Sequence, residues 1–191
     1  MTYAGGLPGG RGGFRGPGGG GFGGPGGGSA DGRGRWFVNF NYNYQLNNEV
    51  LIAEGGPLLD LLEGDALQGS LPRHQVNFNG GLFYAGFGTN VNARYVGSSR
   101  INGSDTPGST DLFFDDYAIV NLRLFADLNQ QFELIDRVPL LKNTRITFGV
   151  NNVFDTRQRI TDENGEVPLR YQPFLVDPIG RSFSIELRKL F

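Results

Sequence analysis

Arg181-Ser182-Phe183-Ser184-Ile185-Glu186-Leu187-Arg188-Lys189-Leu190-Phe191 closes the chain, and its residues alternate. Phe183, Ile185, Leu187 and Phe191 fall on one face of an extended strand, with Ser182, Ser184, Glu186 and Arg188 on the other. Successive side chains of a strand point to opposite sides of its sheet, so this is a strand with one apolar and one polar face. About 9–11 such residues cross a bilayer at a tilt. The stretch sets a choice for the whole chain, between a sheet in a water-soluble protein and the wall of a membrane barrel.

The same period recurs upstream and predicts six strands. In the first, about 35–46, Trp36, Val38, Phe40, Tyr42, Tyr44 and Leu46 oppose Asn39, Asn41, Asn43 and Gln45. In the second, about 74–84, Val76, Phe78, Leu82 and Tyr84 oppose Gln75, Asn77 and Asn79. The pair Ala85-Gly86 turns it into a third, about 87–96, where Phe87, Val91, Ala93 and Tyr95 oppose Asn90, Asn92 and Arg94. The fourth, about 117–128, sets Ala118, Val120, Leu122, Leu124 and Ala126 against Asn121, Arg123 and Asp127. The fifth, about 143–154, sets Ile146, Phe148, Val150 and Phe154 against Arg145, Thr147 and Asn151, and the quoted stretch is the sixth. Asparagine is a poor strand former in water. Its regular return on one face fits a water-filled lumen, because polar-in, apolar-out is the code of a transmembrane barrel.

Composition narrows the field. The 191 residues include 32 Gly, 16 Phe and 7 Tyr, a single histidine, no cysteine, and a net charge of −2. Without cysteine there are no disulfides or thiolate metal sites, and a mildly acidic chain exerts no general pull on nucleic acid. No run approaches the ~18 apolar residues of a membrane helix. Met1-Thr2-Tyr3-Ala4-Gly5-Gly6 lacks the basic start and apolar core of an export signal, so for a barrel this start is not expected to be the native one. Residues 1–34 hold 18 of the 32 glycines. Such a segment buries too little apolar surface to offset its chain entropy and is expected to be a disordered linker or enlarged turn before an ordered region, 35–191. Its Arg11-Gly12-Gly13-Phe14 is similar to an RNA-binding box, but Arg11, Arg15, Arg33 and Arg35 are too few for strong phosphate binding.

Connection lengths also alternate. The 85–86 turn is tight, whereas 47–72, 97–116 and 155–180 are long and rich in Gly, Pro and Asp. Outer-membrane barrels pair short periplasmic turns with long external loops and usually end on an aromatic strand. Placing Phe191 at the periplasm puts the three long segments outside and 85–86 inside; 129–142 also falls inside, longer than such turns usually are. Trp36, Tyr84, Phe87 and Phe191 then mark the inner rim, and Tyr44, Tyr95, Phe154 and Phe183 the outer, as interfacial girdles do. Lys189 is the charged exception on the apolar face, near enough to the inner end for its stem to reach water.

Gly149-Val150-Asn151-Asn152-Val153-Phe154-Asp155-Thr156-Arg157 resembles the penultimate-strand motif of TonB-dependent outer-membrane receptors, G-x-x-N-[LV]-F-D, which precedes the last external loop. The motif residues are Gly149, Asn151, Asn152, Val153, Phe154 and Asp155. Arg181 to Phe191 resembles the family's last strand; Leu71-Pro72-Arg73-His74-Gln75 and Tyr95-Val96-Gly97 resemble earlier strand ends. The resemblance implies a bacterial outer-membrane location and energised uptake of a scarce nutrient, such as a ferric siderophore. It implies Phe183, Ile185, Leu187 and Phe191 as the signal read by the barrel-assembly machinery; Lys189 departs from the usual apolar or aromatic residue at its position. It also implies barrels of about twenty-two strands, an N-terminal plug and indirect contact with the TonB complex, none of which this chain supplies. Six strands leave two open edges, which lipid does not tolerate. The expectation is an all-β, antiparallel transmembrane barrel segment, incomplete alone, whose partners are outer-membrane lipid, a plug and further strands. The alternatives are a passive pore of several such chains and a soluble β-sandwich binding module.

Nothing in the sequence points to catalysis or to a bound cofactor. His74 has no serine motif beside it, and no G-x-S-x-G is present. Asp111, Asp115 and Asp116, and Asp162-Glu163-Asn164-Gly165-Glu166, are oxygen-rich, but their spacing does not match an EF-hand loop and they read as solvated loop charge. Leu58-Leu59-Asp60-Leu61-Leu62 reads as a short amphipathic helix in its loop. Arg94, Arg123, Arg145, Glu186 and Arg188, with Asp127, face the lumen on this topology and are expected to form ion pairs between strands or to touch a plug. Two open edges also make a prediction for the isolated chain: it aggregates. A sharp, reversible unfolding transition of the isolated monomer would contradict this.

Overall fold

The computed structural model describes residues 34–65, 69–104 and 108–190. The expectations placed on residues 1–33 and on Phe191 lie outside the described residues. In chain order the strands are β1 (Arg35–Tyr44), β2 (Glu49–Leu51), β3 (Leu58–Asp60), β4 (His74–Tyr84), β5 (Phe87–Val96), β6 (Ser99–Ile101), β7 (Leu112–Phe114), β8 (Tyr117–Asp127), β9 (Thr144–Asn151), β10 (Ile160–Asp162) and β11 (Ser182–Lys189). Six of them build one antiparallel sheet in the order β1-β4-β5-β8-β9-β11. Every neighbour in space is the next long strand in sequence, an up-and-down meander. The sheet does not close: among the described residues, β1 and β11 are its two edges.

Register makes the two faces continuous. Trp36 lies opposite Leu82, Leu82 opposite Thr89, Thr89 opposite Leu124, Leu124 opposite Phe148, and Phe148 opposite Ile185. One row of the apolar face thus crosses all six strands. On the other face Asn39, Asn79, Asn92 and Asn121 form a row across four. A one-residue slip at any pairing would exchange the faces, so the pattern and the pairing specify each other. The apolar face is open: Trp36 is 76 % exposed and Ile185 79 %. A water-soluble domain buries such a surface, whereas lipid covers it in a barrel wall.

The polar face carries a feature the alternation alone did not single out. Phe37, Phe83 and Phe125 fall on it, near the end of the sheet marked by the 85–86 turn. Gly88 stands in register between Phe83 and Phe125, whose rings stack across it with centroids 5.9 Å apart. A Cβ on Gly88 would come within 2.1 Å of the Phe125 ring, and one on Gly81 within 2.5 Å of Phe37. The glycines are the floor on which the rings lie.

Both connections at this turn end differ in kind. Ala85 and Gly86 have φ of 47° and 85°, the left-handed pair that a two-residue hairpin with the native twist requires. Residues 128–142 instead hold a 3₁₀ turn (Leu128–Gln130), the helix α1 (Phe132–Arg137) and a second 3₁₀ turn (Pro139–Leu141), which accounts for their length. At the loop end the fifth strand stops at Asn151, because Asn152 turns left-handed with φ of 50°; Phe154 therefore lies beyond the alternation that assigned its face. The helix expected at 58–62 is not formed. Leu58–Asp60 pairs with β2, and the Asp60 carboxylate accepts from the Leu62 and Glu63 amides at 2.9 and 3.3 Å, closing a turn where a helix would have continued.

Gly88→Ala should destabilise the folded sheet by about 1–3 kcal/mol through overpacking. Phe125→Ala in the same chain should remove most of that penalty. Urea unfolding of the four species, each carried in the full-length protein that contains this chain and held in detergent micelles, measures the coupling in a double-mutant cycle, and strictly additive effects would show that ring and glycine are independent.

Candidate functional site: the joined loops

The three long connections meet at the loop end, and the chain joins them by two mechanisms. The first is backbone pairing. β6 and β7 form a hairpin within the second loop, and β10 of the third loop pairs with β7, giving a three-stranded sheet ordered β10-β7-β6. The Asp115 amide donates to the Arg159 carbonyl at 2.9 Å, and Phe114 meets Tyr171 edge-on with centroids 6.1 Å apart. Ile160, only 2 % exposed, is buried at this junction.

The second mechanism is a single carboxylate. Glu63, in the first loop, takes Arg73 on one oxygen at 2.5 Å and Arg100 of the second loop on the other at 2.9 Å. Its carbonyl also accepts from Arg100 Nε at 2.7 Å and from the Asn102 side-chain amide at 3.0 Å. The hydrogen bond to Glu63 holds the Arg73 guanidinium above its ordinary pKa. Gly64, at φ 101°, lets the chain pass under Asn102: a Cβ there would sit 2.6 Å from the Asn102 oxygen. Nothing local in the sequence marks Glu63, because its partner Arg100 lies 37 residues away.

The two acidic clusters of the second and third loops come together, and the carboxylates of Asp111, Asp162 and Glu163 accept from amides. Asp111 accepts from the Gly103 amide at 2.7 Å, and Glu163 accepts from the Asp111 amide at 3.1 Å. Asp162 accepts from the amides of Asn164 and Glu166, both at 2.9 Å. Among the described residues no three acidic or histidine side chains converge as a metal site would require. His74 stands on the apolar face at the start of β4. Its Nδ1 shares a hydrogen bond of 2.8 Å with the Tyr42 hydroxyl, and the Tyr44 ring lies 4.8 Å away.

The Asn-Val-Phe-Asp stretch is a staple. Asn152, 5 % exposed, receives the Thr156 amide at 2.9 Å and donates to the Thr156 carbonyl at 2.8 Å, while its own amide donates to the Asn121 side chain at 2.9 Å. The Val153 amide donates to the Val120 carbonyl at 2.8 Å, tying the turn to β8. Asp155 accepts from the Arg181 amide at 2.9 Å, tying it to the approach to β11. Gly149 faces Ser184 across the register, and a Cβ on it would meet the Ser184 oxygen at 2.5 Å. Phe154, 68 % exposed, stands out from the turn.

Arg94, Arg123, Arg145, Glu186 and Arg188 all share the polar face by register. Arg145 bonds Asp127 at 3.0 Å, half-buried, and its guanidinium lies 5.4 Å from the centre of the Phe125 ring. Arg188 stands opposite Arg145 across β9 and β11. On this face Arg145 and Asp127 thus form an ion pair between β8 and β9, seated on the aromatic band. Phe183, Ile185 and Leu187 line the apolar face of the edge strand β11.

Residues 14–153, 140 of the 191, match the family described as "TonB dependent receptor-like, beta-barrel". No curated protein and no solved structure matches the chain.

Two substitutions separate the staple from the loop junction. Asn152→Ala removes the two side-chain hydrogen bonds to Thr156 from a buried turn and should cost about 2 kcal/mol in urea unfolding of the full-length protein that contains this chain. Glu63→Gln, at an exposed ion cluster, should leave the unfolding midpoint unchanged but speed proteolytic nicking within the first loop. A midpoint that falls as far for Glu63→Gln as for Asn152→Ala would refute the distinction.

Proposed function

Because the chain belongs to the TonB-dependent receptor-like β-barrel family, a family of Gram-negative outer-membrane transporters, we propose that it forms the C-terminal wall of such a receptor, lying in the outer membrane of its bacterium. The observation that carries this reading is the row of the apolar face that runs across all six strands from Trp36 to Ile185, set against a row of asparagines on the other face. Backbone groups in lipid must be paired within the protein, so β1 and β11 require further strands, and a plug fills the lumen they enclose.

The parts then take roles. The joined loops face the outside and present the ligand-meeting surface. Arg94, Arg123, Arg145, Glu186 and Arg188 line the lumen. Phe183, Ile185, Leu187 and Phe191 serve as the assembly signal. The cargo is a scarce nutrient of the ferric-siderophore kind, drawn in by energy that reaches the plug from the TonB complex. The wall binds and positions and carries out no covalent step.

Uptake of radiolabelled ferric siderophores by iron-starved cells tests this. Deleting the gene should abolish uptake of one siderophore class, and removing TonB should have the same effect. Uptake that survives loss of TonB would point instead to a passive pore, and recovery of the protein in the soluble fraction would sink both readings.

A further inference from the structure

Residues 128–142 lie at the turn end and are more than a connection. Gln131 donates to the Ala85 carbonyl at 2.9 Å, which anchors the segment beneath the β4–β5 hairpin. The Asn129 side chain accepts from the Asn143 amide at 2.7 Å, which draws its two ends together. Its far side is held by Lys189, whose ammonium donates to the Leu140 and Lys142 carbonyls. Lys189 alternates with Leu187 and Ile185 and so projects from the apolar face. The second 3₁₀ turn is therefore gripped from the side of the sheet that meets lipid. The segment leaves large apolar groups uncovered: Phe132 is 75 % exposed and Leu140 73 %, with Val138 also exposed. Glu133, Asp136, Arg137 and Lys142 are exposed among them. Directly above, on the apolar face, Tyr84, Phe87, Leu124, Ala126, Ile146 and Phe148 line an open groove of about 480 Å³.

From this arrangement we infer that residues 128–142 form an interfacial platform in the periplasmic leaflet of the membrane, and that a phospholipid acyl chain occupies the groove above it. A short amphipathic segment lies in the headgroup layer when its apolar side chains enter the acyl boundary and its charged ones stay in water. The occupant is lipid because the platform is continuous with the lipid-covered face and is fastened by a side chain from that face. Lys189 then has a defined duty. Its stem runs along apolar surface, and its charge, carried to the leaflet boundary, ends on the open carbonyls of the turn. This inference rests on the barrel wall lying in a membrane.

The test uses the full-length protein that contains this chain, free of other cysteines, in vesicles of phosphatidylethanolamine and phosphatidylglycerol. Nitroxide labels at Phe132→Cys, Leu140→Cys, Arg137→Cys and Leu187→Cys report collision with oxygen, which concentrates in lipid, and with a nickel chelate, which stays in water. Arg137 lies far round the helix from Phe132, so the labels at 132 and 140 should favour oxygen severalfold over the label at 137, as the label at 187 does. Labels at 132 and 140 that meet the nickel chelate as freely as that at 137 would overturn the platform. So would labels shielded from both reagents, which would mean a protein covers the segment. If the label at 187 also favours nickel, the wall itself is not in lipid, and the failure belongs to the functional reading.

Discussion

A strand in hydrocarbon has nowhere to send its amides except to another strand, and every other property of this sheet follows from that pairing. Once register is set, the period of two assigns each side chain to lipid or to lumen with no further freedom. Trp36, Leu82, Leu124, Phe148 and Ile185 share a row because the ladder puts them there. The same ladder aligns Asn39, Asn79, Asn92 and Asn121. A face of carboxamides is a poor strand surface in isolation; it is tolerated because the opposite face and the backbone hold the sheet, and water solvates the amides.

The six long strands were legible from sequence because their signal is local. β4 and β5 begin and end where the alternation places them, since His74 and Val96 border loops rich in turn residues and Ala85-Gly86 is a recognisable hairpin pair. Boundaries were read too long where a backbone turn, invisible to hydrophobic period, ends the strand: Asn152 turns left-handed while Val153 and Phe154 still look like strand residues. The aromatic band was passed over for a related reason. Phe37, Phe83 and Phe125 lie on the polar face, and only their register against Gly81 and Gly88 gives them a place.

The loops were much less legible. Leu58 to Leu62 has the composition of a helix, yet pairing with β2 and the Asp60 turn decide otherwise. The Glu63 cluster and the β7–β10 pairing join residues tens of positions apart, and no period or motif announces such contacts. The Asn-Val-Phe-Asp stretch was found as a pattern, but its work as a staple between β8, β9 and β11 appears only when Asn152, Thr156, Asn121 and Arg181 are seen together.

That same joining of the loops bears on how such a protein diversifies. A loop that stands alone can be exchanged by recombination without disturbing its neighbours. Here the first and second loops share one carboxylate, and the second and third share a strand pairing. A transplanted first loop lacking Glu63 would strand Arg100, and a new third loop without β10 would uncover the edge of β7. The heritable unit at this surface is the trio, so a change that alters one loop must be compatible with the other two from the outset.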